Sequence, residues 1–168
     1  MKNIVLIGMP GCGKSTIGVL LAKMIGYDFI DTDILIQQQE NKKLYKIIEE
    51  NGLEYFKKVE NEVNANLNLN NTVIATGGSV IYGKEAMEHL KKIGTIVYLK
   101  VSKEELKNRL GNFETRGVAI EKGKTFEDLY FERIPLYEKY ADVTISSEKI
   151  DLATNAENIA KELKLSII

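Results

Sequence analysis

The sequence predicts an α/β fold, a parallel sheet with helices on both faces. Three observations predict it. Short apolar runs alternate with longer segments of helical period along the whole chain. The first run, Asn3–Ile7, stops at Gly8, the pattern of a strand covered on both faces. The segments that follow the runs are rich in Gly, Asp, Ser and Thr, and in such sheets ligands bind beyond the carboxyl ends of the strands.

The elements follow in order. After Asn3–Ile7, Lys14–Ile25 places Ile17, Leu20, Leu21 and Met24 at helical spacing. Tyr27–Ile30 reads as a second short strand, and about Ile34–Leu67 as polar, amphipathic helices. Thr72–Thr76 is a third strand, Ala86–Ile93 a helix and Thr95–Val101 a fourth strand. Ser102 with Glu105 forms a capping-box pattern at the head of a helix reaching Leu110. Residues 111–124 are polar and aperiodic with glycines at Gly117 and Gly123, and read as a mobile lid-like loop. Thr125–Tyr140 is helical, with Thr125 and Asp128 fitting an N-terminal cap. Val143–Ser146 is a fifth strand and Ala153–Leu165 a closing helix.

Composition narrows the function classes. The 168 residues match one domain, taken as residues 1–168, and 44% hydrophobic content allows a core without staples. A net charge of −1 with mixed signs gives no basic footprint for nucleic acid or for anionic lipid. The single cysteine, Cys12, leaves no disulfide framework and fits a reducing compartment. No apolar run nears the roughly 20 residues that span a bilayer, and the apolar stretch before Gly8 is short for a signal peptide. A cytoplasmic, monomeric protein without nucleic-acid or membrane partners is expected.

Gly8-Met-Pro-Gly11-Cys12-Gly13-Lys14-Ser15 matches G-x-x-x-x-G-K-[ST] between a strand and a helix. This is the phosphate-binding P-loop pattern. Its backbone N–H groups turn onto phosphate oxygens, and the helix N-terminus adds a favourable dipole. Lys14 reaches the β- and γ-phosphates, and the Ser15 hydroxyl ligates Mg²⁺. Cys12 reads as a small loop residue. A guanine-reading N-K-x-D segment is missing, and neither apolar strand Thr72–Thr76 nor Thr95–Val101 is followed by the Asp of motor ATPases. Instead Phe29-Ile30-Asp31-Thr32-Asp33 puts two carboxylates after the second strand. One can hold the Mg²⁺ shell and the other accept a proton from an acceptor hydroxyl, or Asp33 can simply cap a helix. Ala75-Thr76-Gly77-Gly78-Ser79 offers paired glycines for close approach of a ligand. Of 23 basic residues only Arg109, Arg116 and Arg133 are arginine, and they bracket the 111–124 loop. Arginine there points to stacking and bidentate clamping of phosphate or carboxylate.

Together GMPGCGKST, FIDTD, GLEYFKKVE, ATGGS, TRG and ERIPLYEKYADVTI resemble the shikimate kinase family, from Asn3 to about Ile145. The resemblance implies a five-stranded parallel sheet of order 2-3-1-4-5, a P-loop fold of nucleoside monophosphate kinase type with a lid at about 111–124. The acceptor site would be built on helices of about 33–68. It implies an ATP-dependent phosphotransferase acting on shikimate, with Mg²⁺ as cofactor and ATP and shikimate as small-molecule partners, in aromatic amino-acid biosynthesis. By the same resemblance Gly11, Cys12, Gly13, Lys14, Ser15, Thr16 and Arg109 would hold the nucleotide, with Arg109 against adenine. Ser15 and Asp31 would support Mg²⁺, and Lys14, Asp33 and Arg116 would serve catalysis. Asp33, Lys57, Gly77, Gly78 and Arg133 would bind the acceptor, Arg133 taking its carboxylate. The chain departs from the pattern at Phe56-Lys57, where the family has Phe-Arg, and at Ser79, where it has a third glycine. Arg116-Gly117 stands where Arg-Pro is usual. Lys57 keeps the charge without the bidentate fork. Another small sugar acid such as gluconate therefore stays open as acceptor, as does a nucleotide-binding module without turnover.

Overall fold

β1 (Asn3–Ile7) is buried at all five positions, which places it inside the sheet with both faces covered. In this computed structural model, which describes residues 2–110 and 118–168, the sheet runs β2-β3-β1-β4-β5. Its strands are β2 (Asp28–Asp31), β3 (Thr72–Ala75), β4 (Gly94–Lys100) and β5 (Val143–Ser146), and every pairing is parallel. The observed order is the one the resemblance implied.

Helix α1 (Lys14–Ile25) packs on α8 (Leu152–Glu162) and against β2 and β3, while α5 (Lys84–Ile93) packs on β4 and on α4. Between β2 and β3 the chain forms α2 (Thr32–Glu40), α3 (Leu44–Asn51) and α4 (Leu53–Ala65). The breaks are local. Asn41 takes φ 50° after α2, and Gly52 takes φ 87° between α3 and α4. Beyond β4 come α6 (Lys103–Leu110) and α7 (Phe126–Tyr140).

Two boundaries differ from the sequence reading for identifiable reasons. β2 begins at Asp28 because Tyr27 N–H still closes α1 on the Ala22 carbonyl, and Asp28 N–H is the first to reach across, to Asn71. α8 stops at Glu162, with Lys164 at φ 54°. The caps behave as expected at α7, where Thr125 and Asp128 close a full capping box. At α6 the Ser102 hydroxyl accepts from Glu105 N–H, but the Glu105 carboxylate turns to Arg109 and to Lys149 N–H.

Register brings the site together. Asp31 pairs with Ala75, Ala75 with Leu6, and Ile7 with Tyr98. The residues just past these positions therefore share one edge of the sheet, and Thr76 ties that edge by donating its hydroxyl to the Leu6 carbonyl at 2.8 Å. A second apolar cluster, apart from the sheet core, joins Ile36, Leu44, Ile47, Phe56 and Val59 of α2–α4 to Ala119. Ala119 belongs to the part of the 111–124 loop that the structure describes; residues 111–117, including Arg116, lie outside the described residues. Among the described residues no helix is long and apolar enough to cross a membrane.

Candidate active site

A cleft of about 370 Å³ opens at the carboxyl edge of the sheet. Pro10, Gly11, Gly13, Lys14, Ser15 and Thr16 line one end, and Asp33, Glu60, Gly77, Gly78, Ser79 and Arg133 the other. Leu44, Phe56, Val118 and Ala119 form apolar wall.

The P-loop end is made by backbone. Gly13 caps α1 at φ 99° with no side-chain hydrogen bond, a conformation that a side chain would strain. The first N–H groups of α1 are thus left to a ligand, at the positive end of the helix dipole. Lys14 is buried, and its ammonium donates to the carbonyls of Gly8 at 2.8 Å and Met9 at 3.0 Å. Cys12 is fully buried, with its sulfur 3.6 Å from Lys14 Nζ, beneath the loop rather than in the cleft.

The two carboxylates of Asp31-Thr32-Asp33 divide their work. Asp31 caps α2: its Oδ1 accepts from Asp33 N–H at 2.9 Å, and its Oδ2 accepts from the Ser15 hydroxyl at 2.5 Å. The cap is therefore Asp31, and Asp33 is released from that duty. Asp33 Oδ1 is buried without a hydrogen-bond partner among the described residues. Burial pushes its carboxyl up to about 6, the Asp31 charge adds to the rise, and Lys14 opposes it. A carboxyl titrating there suits a general base near neutral pH. The paired oxygens of Ser15 and Asp31 at a phosphate loop form the hard-donor set that Mg²⁺ takes in company with substrate phosphates and water.

The acceptor end is made by buried side chains. Arg133, wholly buried on α7, donates from Nη2 to the Ala119 carbonyl at 2.7 Å, and its guanidinium lies 5.4 Å from the Tyr82 ring centre. Its Nε has no hydrogen-bond partner, and no carboxylate stands within ion-pair distance among the described residues. A buried cation left in that way favours an anionic ligand. Gly78 lies tightly under it: a Cβ there would come within 2.9 Å of Arg133 Nη1, while Gly77 faces Glu60 and Asp33 instead.

Glu60, on α4, is the residue that the sequence reading missed. It is buried and accepts a 2.5 Å hydrogen bond from Ser79 on Oε1, while Oε2 has no partner among the described residues. Burial pushes it up to about 7; Ser79 lowers it, Asp33 raises it, and Arg133 and Lys14 lower it. The signal was present, since a carboxylate interrupts the apolar stripe of Phe56, Val59 and Val63 on an otherwise charged helix.

Lys57 and Arg109, also expected in the site, do not line the cleft. Lys57 turns its ammonium towards Glu54 at 3.7 Å, Glu121 at 3.9 Å and the Tyr82 ring at 4.7 Å. One helical step from Phe56, it falls on the adjoining face of α4, where it lines a shallow groove with Tyr82 and Asn61. Arg109 pairs with Glu105 and donates to the Ser147 carbonyl at 3.3 Å, at the far side of the P-loop from the acceptor end.

Comparison with known proteins agrees with this geometry. The shikimate kinase family profile matches residues 10–164. A shikimate kinase of Clostridium botulinum (strain Langeland) is 46% identical over 144 residues, 83% of this chain and 84% of that protein. One from Thermodesulfovibrio yellowstonii is 37% identical over 96% of this chain and 95% of its own. Among solved structures, shikimate kinase from Acinetobacter baumannii in complex with shikimate superposes with a TM-score of 0.90 at 30% identity, covering 98% and 93% of the two chains. The chain belongs to the shikimate kinase family.

Proposed function

We propose that this protein transfers the γ-phosphoryl group of ATP to a hydroxyl of shikimate, giving shikimate 3-phosphate. The observation that carries the reading is the Asp33 carboxylate oxygen, unpartnered among the described residues, buried in the same cleft as the P-loop lysine and an Arg133 that makes no ion pair among those residues. ATP phosphates rest on the backbone of Gly11–Thr16, and Lys14 leaves its carbonyl partners for the β- and γ-oxygens. Ser15 and Asp31 would hold Mg²⁺, which would supply charge neutralisation at the phosphates. Arg133 takes the acceptor carboxylate through a charge-assisted bond. The acceptor hydroxyl then points at Asp33, which orients it and accepts its proton as the oxygen attacks in line. Arg116, from the TRG motif, would bring its charge to the phosphates. Arg109 borders the adenine end.

A coupled ADP-release assay across shikimate, quinate, gluconate and nucleoside monophosphates tests the reading. Shikimate-dependent release well above the others is expected. Preference for gluconate would keep the kinase and replace the acceptor.

A further inference from the structure

Glu60 has no part in that scheme, yet it is one of the costliest groups in the molecule to bury. It is 2% exposed and sits inside the cleft that holds Asp33 and Arg133. A buried carboxyl kept half-satisfied needs a reason, because each missing hydrogen bond is a stability penalty.

Its two oxygens are in different situations. Oε1 is fixed by the Ser79 hydroxyl at 2.5 Å, itself buried at the start of the 3₁₀ turn Val80–Tyr82. Oε2 is without a partner among the described residues. It stands over Gly77, where an added Cβ would come within 2.5 Å of Glu60 Oε2 and 2.7 Å of Asp33 Oδ1. The two unpartnered oxygens thus border the same space, one on each side of a residue with no side chain. Lys57, the nearest cation on the same helix, faces Glu54 and Glu121 and gives Glu60 no ion pair among the described residues. What would satisfy Oε2 is a donor brought by the ligand.

We infer that Glu60 receives a second hydroxyl of the acceptor beside the one presented to Asp33, and that Ser79 is the positioning residue that aims it. The pocket then selects its acceptor by two hydroxyls and one carboxylate, on Asp33, Glu60 and Arg133, with Lys57 taking no part. The inference rests on the phosphoryl-transfer reading above and adds a specificity-determining residue to it. A polar site left unpaired by a substrate lacking the matching hydroxyl discriminates strongly.

The test is a coupling experiment on the full chain with Mg-ATP, using shikimate, 4-deoxyshikimate and 5-deoxyshikimate as acceptors. For wild type, one of the two deoxy compounds loses roughly 10²-fold or more in kcat/KM relative to shikimate. In Glu60→Ala that same compound and shikimate become equal within about threefold, since the group that told them apart is gone. Ser79→Ala and Ser79→Gly, which leave Glu60 in place but unaimed, shrink the discrimination by about tenfold through shikimate KM, with kcat nearly kept. Should Glu60→Ala not fold, the Ser79 pair and Glu60→Gln carry the same comparison. Equal losses for all three acceptors in every variant would make Glu60 a structural residue and overturn the inference, while shikimate turnover by wild type upheld the kinase. Absence of shikimate turnover in wild type would overturn the kinase reading and this inference with it.

Discussion

The two ends of the cleft are built by opposite means. At the nucleotide end the ligand-facing groups are main-chain N–H groups of one continuous stretch, Gly11–Thr16, with Lys14 parked on its own loop's carbonyls. At the proposed acceptor end the cleft is lined by side chains from four separate segments: Asp33 on α2, Glu60 on α4, Ser79 after β3 and Arg133 on α7. The first end reads phosphate, which every nucleotide carries, and backbone suffices for that. The second must distinguish one small acid from another, and that takes polar side chains held in dry, fixed positions. The difference teaches that chemistry and selectivity can be lost separately.

The largest effect should come from Lys14→Ala. Removing the charge nearest the transferred group should lower kcat by roughly 10³-fold with every acceptor alike. ADP release measured with shikimate and with water as acceptor checks this. A variant that lost only one acceptor would mean that the two ends are not separable.

Asp33→Asn should follow, with kcat down about 10²-fold or more and ATP binding, read by calorimetry, unchanged. The same carboxyl sets a pH limit. Its folded value lies near 6, against 3.8 for a free side chain, so kcat/KM should fall as pH drops through about 6 and flatten in Asp33→Asn. Stability should move the other way. The folded state holds this proton more tightly than the unfolded chain does, so its contribution is fully present below about 4 and lost as pH rises to about 6. Urea unfolding of wild type and Asp33→Asn across that range would show the wild-type slope and its loss.

Arg133→Lys should raise KM for the acceptor by roughly 30-fold at little cost in kcat, since a point charge replaces the fork. A matched fall in ATP affinity would blur the contrast between the ends. The smallest effect is expected at Lys57. Its ion pairs are long and lie at the surface, where such pairs contribute about 0–1 kcal/mol. Lys57→Ala and Lys57→Arg should therefore keep acceptor KM within about threefold; a tenfold change in either would bring Lys57 into the pocket.

The nucleotide end was legible because its determinants are consecutive: the motif, the strand before it and the helix after it lie within Asn3–Ile25. The sheet order followed from the resemblance, and the strands from apolar runs. The acceptor end was legible only in part. Gly77, Gly78 and Arg133 were named, and the structure brings them together with Asp33. Glu60 was passed over because a single Glu among the charges of Glu54-Tyr55-Phe56-Lys57-Lys58 looks like solvent-facing surface until the helix phase is fixed by packing against Ile36 and Leu44. Lys57 was placed in the site by the resemblance; its ammonium faces Glu54, Glu121 and the Tyr82 ring. Which face of a helix is inward depends on neighbours that local sequence does not specify.

Asp31 joins the two ends more tightly than the sheet does. One of its oxygens holds Ser15 and the other holds the amide of Asp33. The span from the Ser15 hydroxyl to the backbone of Asp33 is therefore measured out through the Asp31 carboxylate by two hydrogen bonds. Asparagine there would keep the cap and drop the charge, leaving a ruler of correct length with nothing to grip a cation.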